Sequence, residues 1–183
     1  IERPSSVVKE LLENAIDAQA TAVTVEIRDG GISYIRVTDN GCGIPKEEVP
    51  LAFLRHSTSK IKSVEDLFTV SSLGFRGEAL SSIASVAQVE LITKTSEQLS
   101  GTRYQIEGGV ERSYEEVGAP DGTTFLVRNL FYNTPARQKF LKTAQTEGSH
   151  VAALVEKIAM SHPDISIRFI QNNQNRLHTS GNH

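Results

Sequence analysis

Residues 7–18 read VVKELLENAIDA, and the spacing of their apolar side chains sets the first element of the fold. Val8, Leu11, Leu12 and Ala15 recur at i, i+3, i+4 and i+7, the stripe of a helix buried along one face, with Val7 and Ile16 at its borders. Opposite them, Glu10, Asn14 and Asp17 fall at i, i+4 and i+7, so two carboxylates and a carboxamide share a second stripe. Such a stripe is either a solvated helix face or a set of groups turned towards a ligand. Two turn-rich segments, DNGCGIP at residues 39–45 and GFRGEAL at residues 74–80, supply something for it to face. Ser5 or Ser6 is the expected cap of this helix.

Working outward, AVTVEIR (residues 22–28) and ISYIRVTD (residues 32–39) alternate apolar and polar residues around Asp29, Gly30 and Gly31. This predicts a β-hairpin whose second strand delivers Asp39 to the DNGCGIP loop. Pro45 suits the first turn of a short helix over KEEVPLAF, whose acids lie near its N-terminus, and Pro50 limits its length. From Arg55 to Gly77 periodicity fades, which predicts a long excursion with short helical pieces; such excursions are usually functional or mobile. GEALSSIASV then predicts a helix starting near Gly77. VELITKT, TRYQIEG, VERSYEEV and TTFLVRNL, separated by turn residues, have the spacing of an antiparallel meander. The helical period returns between Thr134 and Pro163, with Val151, Leu154, Val155, Ile158 and Ala159 as its stripe. ISIRFIQ and a short piece at residues 176–179 add strands around the NNQN turn. Strands and helices segregated in this way predict an α+β two-layer sandwich, one mixed and mostly antiparallel sheet covered on one face by helices.

Composition narrows the function classes. The 183 residues fit one domain with a substantial core. A net charge of -3 excludes a chain that is basic overall and built to bind nucleic acid, leaving Arg137, Lys139 and Lys142 as a weak local patch for phosphates. Cys42 is the only cysteine, which excludes an internal disulfide framework and a cysteine-rich zinc site. The five histidines show no metal spacing. No apolar run approaches a membrane span and no signal peptide opens the chain, so the expectation is a soluble cytoplasmic protein without a membrane partner. Ile1 in place of Met suggests a domain cut from a longer protein, or a chain whose first residues are disordered.

The chemistry-bearing segments contain no Walker P-loop. In DNGCGIP, Gly41 and Gly43 permit unusual dihedrals and close approach of a flat ligand. Asp39 then either accepts a hydrogen bond from an exocyclic amino group such as adenine's or orders the loop backbone. GFRGEAL sets two glycines before a helix, where free N–H groups and the helix dipole form a phosphate cradle. Thr58, Ser59 and Lys60 add hydroxyls and a cation suited to phosphates, or else form a charged surface loop. Asn14 offers magnesium a neutral oxygen, and nucleotide-bound magnesium takes only one or two protein oxygens. Glu10, a turn away, is placed to orient and deprotonate a water attacking the γ-phosphate.

ELLENAIDA, DNGCGI, GFRGEAL and the Gly122-Thr123-Thr124 segment resemble, in order and rough spacing, the four motifs of the GHKL ATPases, which include gyrase B subunits, a heat-shock chaperone and sensor histidine kinases. Within that superfamily ERPSSVVKELLENAIDA, RHSTSK, LGFRGEALSSIASV and NLFYNTPARQKFL resemble the MutL family of DNA mismatch-repair proteins, the bacterial type in particular. The resemblance implies the Bergerat sandwich, with residues 1–183 as one ATP-binding domain. It implies that Glu10 is the general base and Asn14 the ligand of Mg2+. Asp39 would read the adenine amino group, with Thr123 beside it, and Gly41 and Gly43 would shape the pocket. Thr58 and the backbone of Gly74, Arg76, Gly77, Glu78, Ala79 and Leu80 would belong to a lid over the triphosphate of ATP. The resemblance also implies that the family's N-terminal arm and its second domain, which supplies a phosphate-contacting lysine and much of the DNA-binding surface, lie outside residues 1–183. The implied activity is slow ATP hydrolysis that couples nucleotide state to N-terminal homodimer formation and to the mismatch-recognition protein MutS, with DNA held mainly by regions outside this chain. A kinase passing phosphate to histidine and a module that binds nucleotide without turnover are the rival readings; a hydrolytic base at Glu10 argues against the kinase.

Overall fold

Pro4 occupies the first position of helix α1 (Pro4–Asp17). Its ring presets φ and it has no N–H to leave unpaired, so Arg3 takes the cap position and Ser5 and Ser6 lie inside the helix instead of capping it. Val7, Val8, Leu11, Leu12 and Ala15 are buried as the periodicity requires, and each fully buried Val or Leu contributes about 1.5–3 kcal/mol. The helix ends where Gln19 turns left-handed, at φ 62. Gln19 N then donates to Ile16 O and Ala20 N to Ala15 O, pairing carbonyls that a helix end would otherwise leave free.

The computed structural model describes residues 1–54 and 78–181. The excursion expected over residues 55–77 lies outside the described residues. Among those described, no helix is long and apolar enough to cross a membrane. KEEVPLAF forms two 3-10 turns, Lys46–Glu48 and Pro50–Phe53, divided by the proline. Helix α2 spans Ala79–Val86. The helical region after Thr134 is two pieces, a single turn at Pro135–Gln138 and helix α3 (Ala144–Ser161). Thr143 makes the second start, its hydroxyl accepting from Thr146 N at 3.2 Å. The fully buried Glu147 accepts from Lys142 N at 2.7 Å, with Arg3 Nη1 at 3.8 Å from its other oxygen.

Eight strands form one sheet: β1 (Ala22–Arg28), β2 (Tyr34–Asp39), β3 (Gln88–Lys94), β4 (Gly101–Glu107), β5 (Val110–Val117), β6 (Gly122–Arg128), β7 (Ser166–Gln171) and β8 (Gln174–His178). Their order is β5-β4-β3-β6-β2-β1-β7-β8, with β1 and β7 parallel and every other pair antiparallel. The meander expectation is therefore corrected. Strand β6 does not continue past β5 but inserts between β3 and β2. VERSYEEV offers no apolar face to bury, so β5 is stable only at the sheet edge. GTTFLVR buries side chains on its helix-facing side and Leu126 on the other, which suits a central position.

The helices cover one face. Across that face run two apolar rows set by register: Phe169, Val25, Val37, Phe125, Leu91 and Tyr104, then Ile27, Ile35, Val127, Val89 and Ile106. The opposite face carries cross-strand charge pairs, Arg36 with Glu26 at 2.8 Å, Arg103 with Glu90 at 2.6 Å and Arg128 with Glu90 at 3.2 Å.

Candidate nucleotide site

One rung beyond the apolar rows, on the same helix-covered face, the register continues as Val23, Asp39, Thr123, Thr93 and Thr102. The sheet thus presents four polar residues to the end of α1 and the start of α2. Asn14 and Ala18 of α1, Asp39 of β2, Ile44 of the following loop, Leu80 of α2, and Thr123 and Phe125 of β6 line one narrow crevice there. The insertion of β6 beside β2 brings Asp39 opposite Thr123. A roomier cavity of about 420 Å³ lies between α3 and β8, where Ala159, Met160, Pro163 and Leu177 make a mostly apolar wall beside Glu156, Thr179 and Ser180. The narrower crevice is the one that gathers the chemistry.

Asn14 is 6% exposed, so the polar stripe of α1 is not simply a solvated face. Its carboxamide makes no hydrogen bond among the described residues. Glu10, one turn earlier, is half-buried, and Asp17, one turn later, is exposed. No group of three or more His, Cys, Asp or Glu side chains that could hold a metal occurs among the described residues. Asn14 therefore fits only a cation that takes most of its ligands from phosphates and water, as nucleotide-bound magnesium does.

Asp39 Oδ1 accepts from Gly41 N at 2.8 Å. Burial pushes the Asp39 carboxyl up to about 6, against the smaller opposing pull of the Gly41 and Thr123 backbone N–H groups. The carboxylate has lone pairs left for a donor in the crevice. Asn40, which the sequence reading passed over, is a clamp: its Oδ1 accepts from Thr21 N at 2.9 Å and Ala22 N at 3.0 Å. The loop after it is pinned to α1 by Cys42 N donating to Ala18 O at 3.0 Å.

Gly41 and Gly43 do not line the crevice, and they act through the loop's packing. A Cβ on Gly41 would stand 2.7 Å from Ala18 O, and one on Gly43, at φ 74, would stand 2.1 Å from Lys94 O. Glycine is required because the loop lies against α1 on one side and β3 on the other. Glu78 takes the position before α2, exposed and without a side-chain capping bond, Ala79 is half-buried in the first turn, and Leu80 reaches the crevice. Thr58, Gly74, Arg76 and Gly77 lie outside the described residues. Thr93 was not singled out in the sequence, although in VELITKT it shares the inward parity of Val89 and Leu91, and a threonine there was the available signal.

A narrow crevice between one helix, a sheet rung carrying Asp and Thr, and the N-terminus of a second helix is the arrangement of an ATP-binding domain without a Walker loop. The family model described as histidine kinase-, DNA gyrase B- and HSP90-like ATPase matches residues 2–121, and the chain belongs to that family. Within it, the chain is similar to proteins named DNA mismatch repair protein MutL. It is 72% identical over 182 residues to the one from Agathobacter rectalis, covering 100% of this chain and 28% of that protein. It is 57% identical over 164 residues to the one from Acidobacterium capsulatum, covering 90% and 25%. Among solved structures it superposes on the Aquifex aeolicus MutL ATPase domain complexed with ADP with a TM-score of 0.83 at 34% identity, over 100% of this chain and 65% of that one. The chain spans 25% to 28% of the length of those two curated relatives.

Proposed function

We propose that this domain binds ATP with magnesium and hydrolyses it slowly, and that in a longer MutL-type protein its nucleotide state governs association of two N-terminal regions and signalling to MutS and other repair partners. The observation that carries the reading is the convergence of Asn14, Asp39, Thr123 and Leu80 on one crevice. The ADP in the Aquifex aeolicus relative supports a nucleotide there.

Asp39 accepts a hydrogen bond from the adenine amino group, and Phe125, Ile44 and Ala18 give the ring apolar contact. The N–H groups at the start of α2 point their dipole at the phosphates, and the family resemblance assigns phosphate contact also to Gly74, Arg76, Gly77 and Thr58. Magnesium, where bound, neutralises phosphate charge, and Asn14 is the side chain that holds it. Glu10 orients a water towards the γ-phosphorus and takes its proton as the new P–O bond forms. The bond to the bridging oxygen breaks, leaving ADP and phosphate. We place most of the DNA contact, and the phosphate-directed lysine, in regions beyond this domain, and propose residues 1–183 as one catalytic domain that works at full rate only within the longer protein.

Glu10→Ala tests the roles. ATP affinity should stay within a few-fold of the parent while single-turnover hydrolysis falls on the order of a hundredfold or more. Unchanged turnover would remove Glu10 as the base, and a parent that binds ATP without turnover would be a module that binds without hydrolysing.

A further inference from the structure

Thr93 lies beside Thr123 on the same rung, 1% exposed and outside the residues that line the crevice. Its hydroxyl has three polar neighbours. Ile44 N donates to it at 2.9 Å, Gly122 O stands at 3.0 Å and Thr123 Oγ1 at 2.8 Å. A hydroxyl has one hydrogen and two lone pairs to distribute. The Ile44 amide takes one lone pair. The Gly122 carbonyl can only accept, so it takes the hydrogen; turned to Thr123 instead, that hydrogen would leave two oxygens facing each other lone pair to lone pair. The remaining lone pair accepts the hydrogen of Thr123. This arrangement satisfies every group, and it turns the Thr123 hydrogen into the sheet and a lone pair towards the crevice.

The geometry points to Thr93 as a positioning residue for base selection: by holding the Thr123 hydrogen inside the sheet, it leaves the crevice floor with acceptors only and so favours a 6-amino purine over a 6-oxo purine. The inference rests on the adenine reading above and deepens it. An amino group brings two N–H donors to Asp39 and Thr123, directly or through a bridging water. A 6-oxo oxygen would meet two acceptors and stay unpaired in a buried site, the situation in which polar discrimination is steepest. The same hydroxyl ties Ile44, and with it the apolar side of the crevice, to the sheet.

The test is the ratio of affinities for non-hydrolysable ATP and GTP analogues, measured by calorimetry on the parent, Thr93→Ser, Thr93→Val, Thr123→Val and the double valine variant. In Thr93→Val the Thr123 hydroxyl is free to rotate and donate to a 6-oxo group, so the ATP preference should fall about tenfold. Thr93→Ser should retain the parent ratio within about twofold. In the Thr123→Val background, Thr93→Val should change the ratio no further. A purely structural defect weakens both nucleotides together, so an unchanged ratio in folded Thr93→Val overturns the inference. So does an equal loss of preference with Thr123 already replaced. If Thr93→Val does not fold, Thr123→Val alone decides: a parent-like ratio overturns the inference. A parent that binds both nucleotides equally instead removes the adenine reading itself, and the inference falls with it.

Discussion

Asp39 and Glu90 are carboxylates on opposite faces of one sheet, and the sheet treats them in opposite ways. Both are desolvated. At Glu90 burial pushes the carboxyl up, but hydrogen bonds from Arg103 and Arg128 outweigh it and hold the group below its ordinary value. At Asp39 two backbone N–H groups among the described residues answer the burial, and the carboxyl stands at about 6. The charged face has satisfied its own acids with arginines, including Glu115 on Arg103 at 2.6 Å. Among the described residues, the helix-covered face offers Asp39 no cation, at a cost to the unliganded fold. An acid that is paired serves the architecture, and one left short of donors is ready for a ligand that brings them.

The largest effect that bears on this contrast is expected at Asp39→Asn. The amide can still accept from Gly41 N, but it also presents N–H donors to an adenine amino group, so nucleotide affinity should fall on the order of a hundredfold. Because the burial penalty of the charge disappears, the unliganded variant should melt no lower than the parent at pH 7.5. Thermal-shift titration with ATP gives both numbers; full nucleotide stabilisation of the variant would break the assignment.

Acidification sharpens the contrast further. Asp39 has a folded value near 6 against 3.8 for the ordinary carboxyl, so its protonated form favours folding. That stabilisation is complete below about 3.8 and is lost as pH rises through about 6. Glu90 has the opposite sign: its lowered value stabilises the fold above 4.5 and is lost as pH falls through the folded value. Between pH 6 and pH 4 the stability of Asp39→Asn should therefore lose any advantage over the parent, while ATP affinity of the parent declines as Asp39 becomes a donor. Denaturant melts and calorimetry across that window check both trends. An ATP affinity flat from pH 7 to pH 5 would show that Asp39 does not meet the base.

The smallest effect belongs to Glu90→Gln. Its partners Arg103 and Arg128 have side chains 34% and 43% exposed, so the pairs are partly screened by solvent. A loss of about 1 kcal/mol or less is expected, shrinking in high salt, with no change in nucleotide binding. A loss of ATP affinity would mean that the two faces are coupled.

The two faces were unequally legible in the sequence. Helix α1, the β1–β2 hairpin and the individual strands are written in local periodicity, which is why Glu10, Asn14 and Asp39 could be singled out at once. The placement of β6 was not, because pairing partners depend on which strand can tolerate an edge, and that is settled only when β5 proves too polar for the interior. The same non-local step decides that Thr123 sits across from Asp39. Thr93 was missed for a related reason: its role lies in bonds to Ile44 and Gly122, far off in the chain, and inward parity was its only local mark. The break in the helical region after Thr134 hid in a sequence whose average period is helical, although Thr143 carried a usable cap signal.

Strand β2 also sets a timetable for synthesis. Its partner on the site side is β6, and the Thr38–Thr124 contact across that pair spans 86 residues. At about 5–20 residues per second, the β2 edge of the hairpin stays open for roughly 4 to 17 s before that partner exists, and the β1 edge stays open longer still, until β7 is made. An open edge recruits stray strands, and charged side chains such as those of Glu26 and Arg36 on the hairpin are a known deterrent. Until β6 arrives, the nascent chain has its acid but no crevice, so nucleotide cannot assist the early steps of folding.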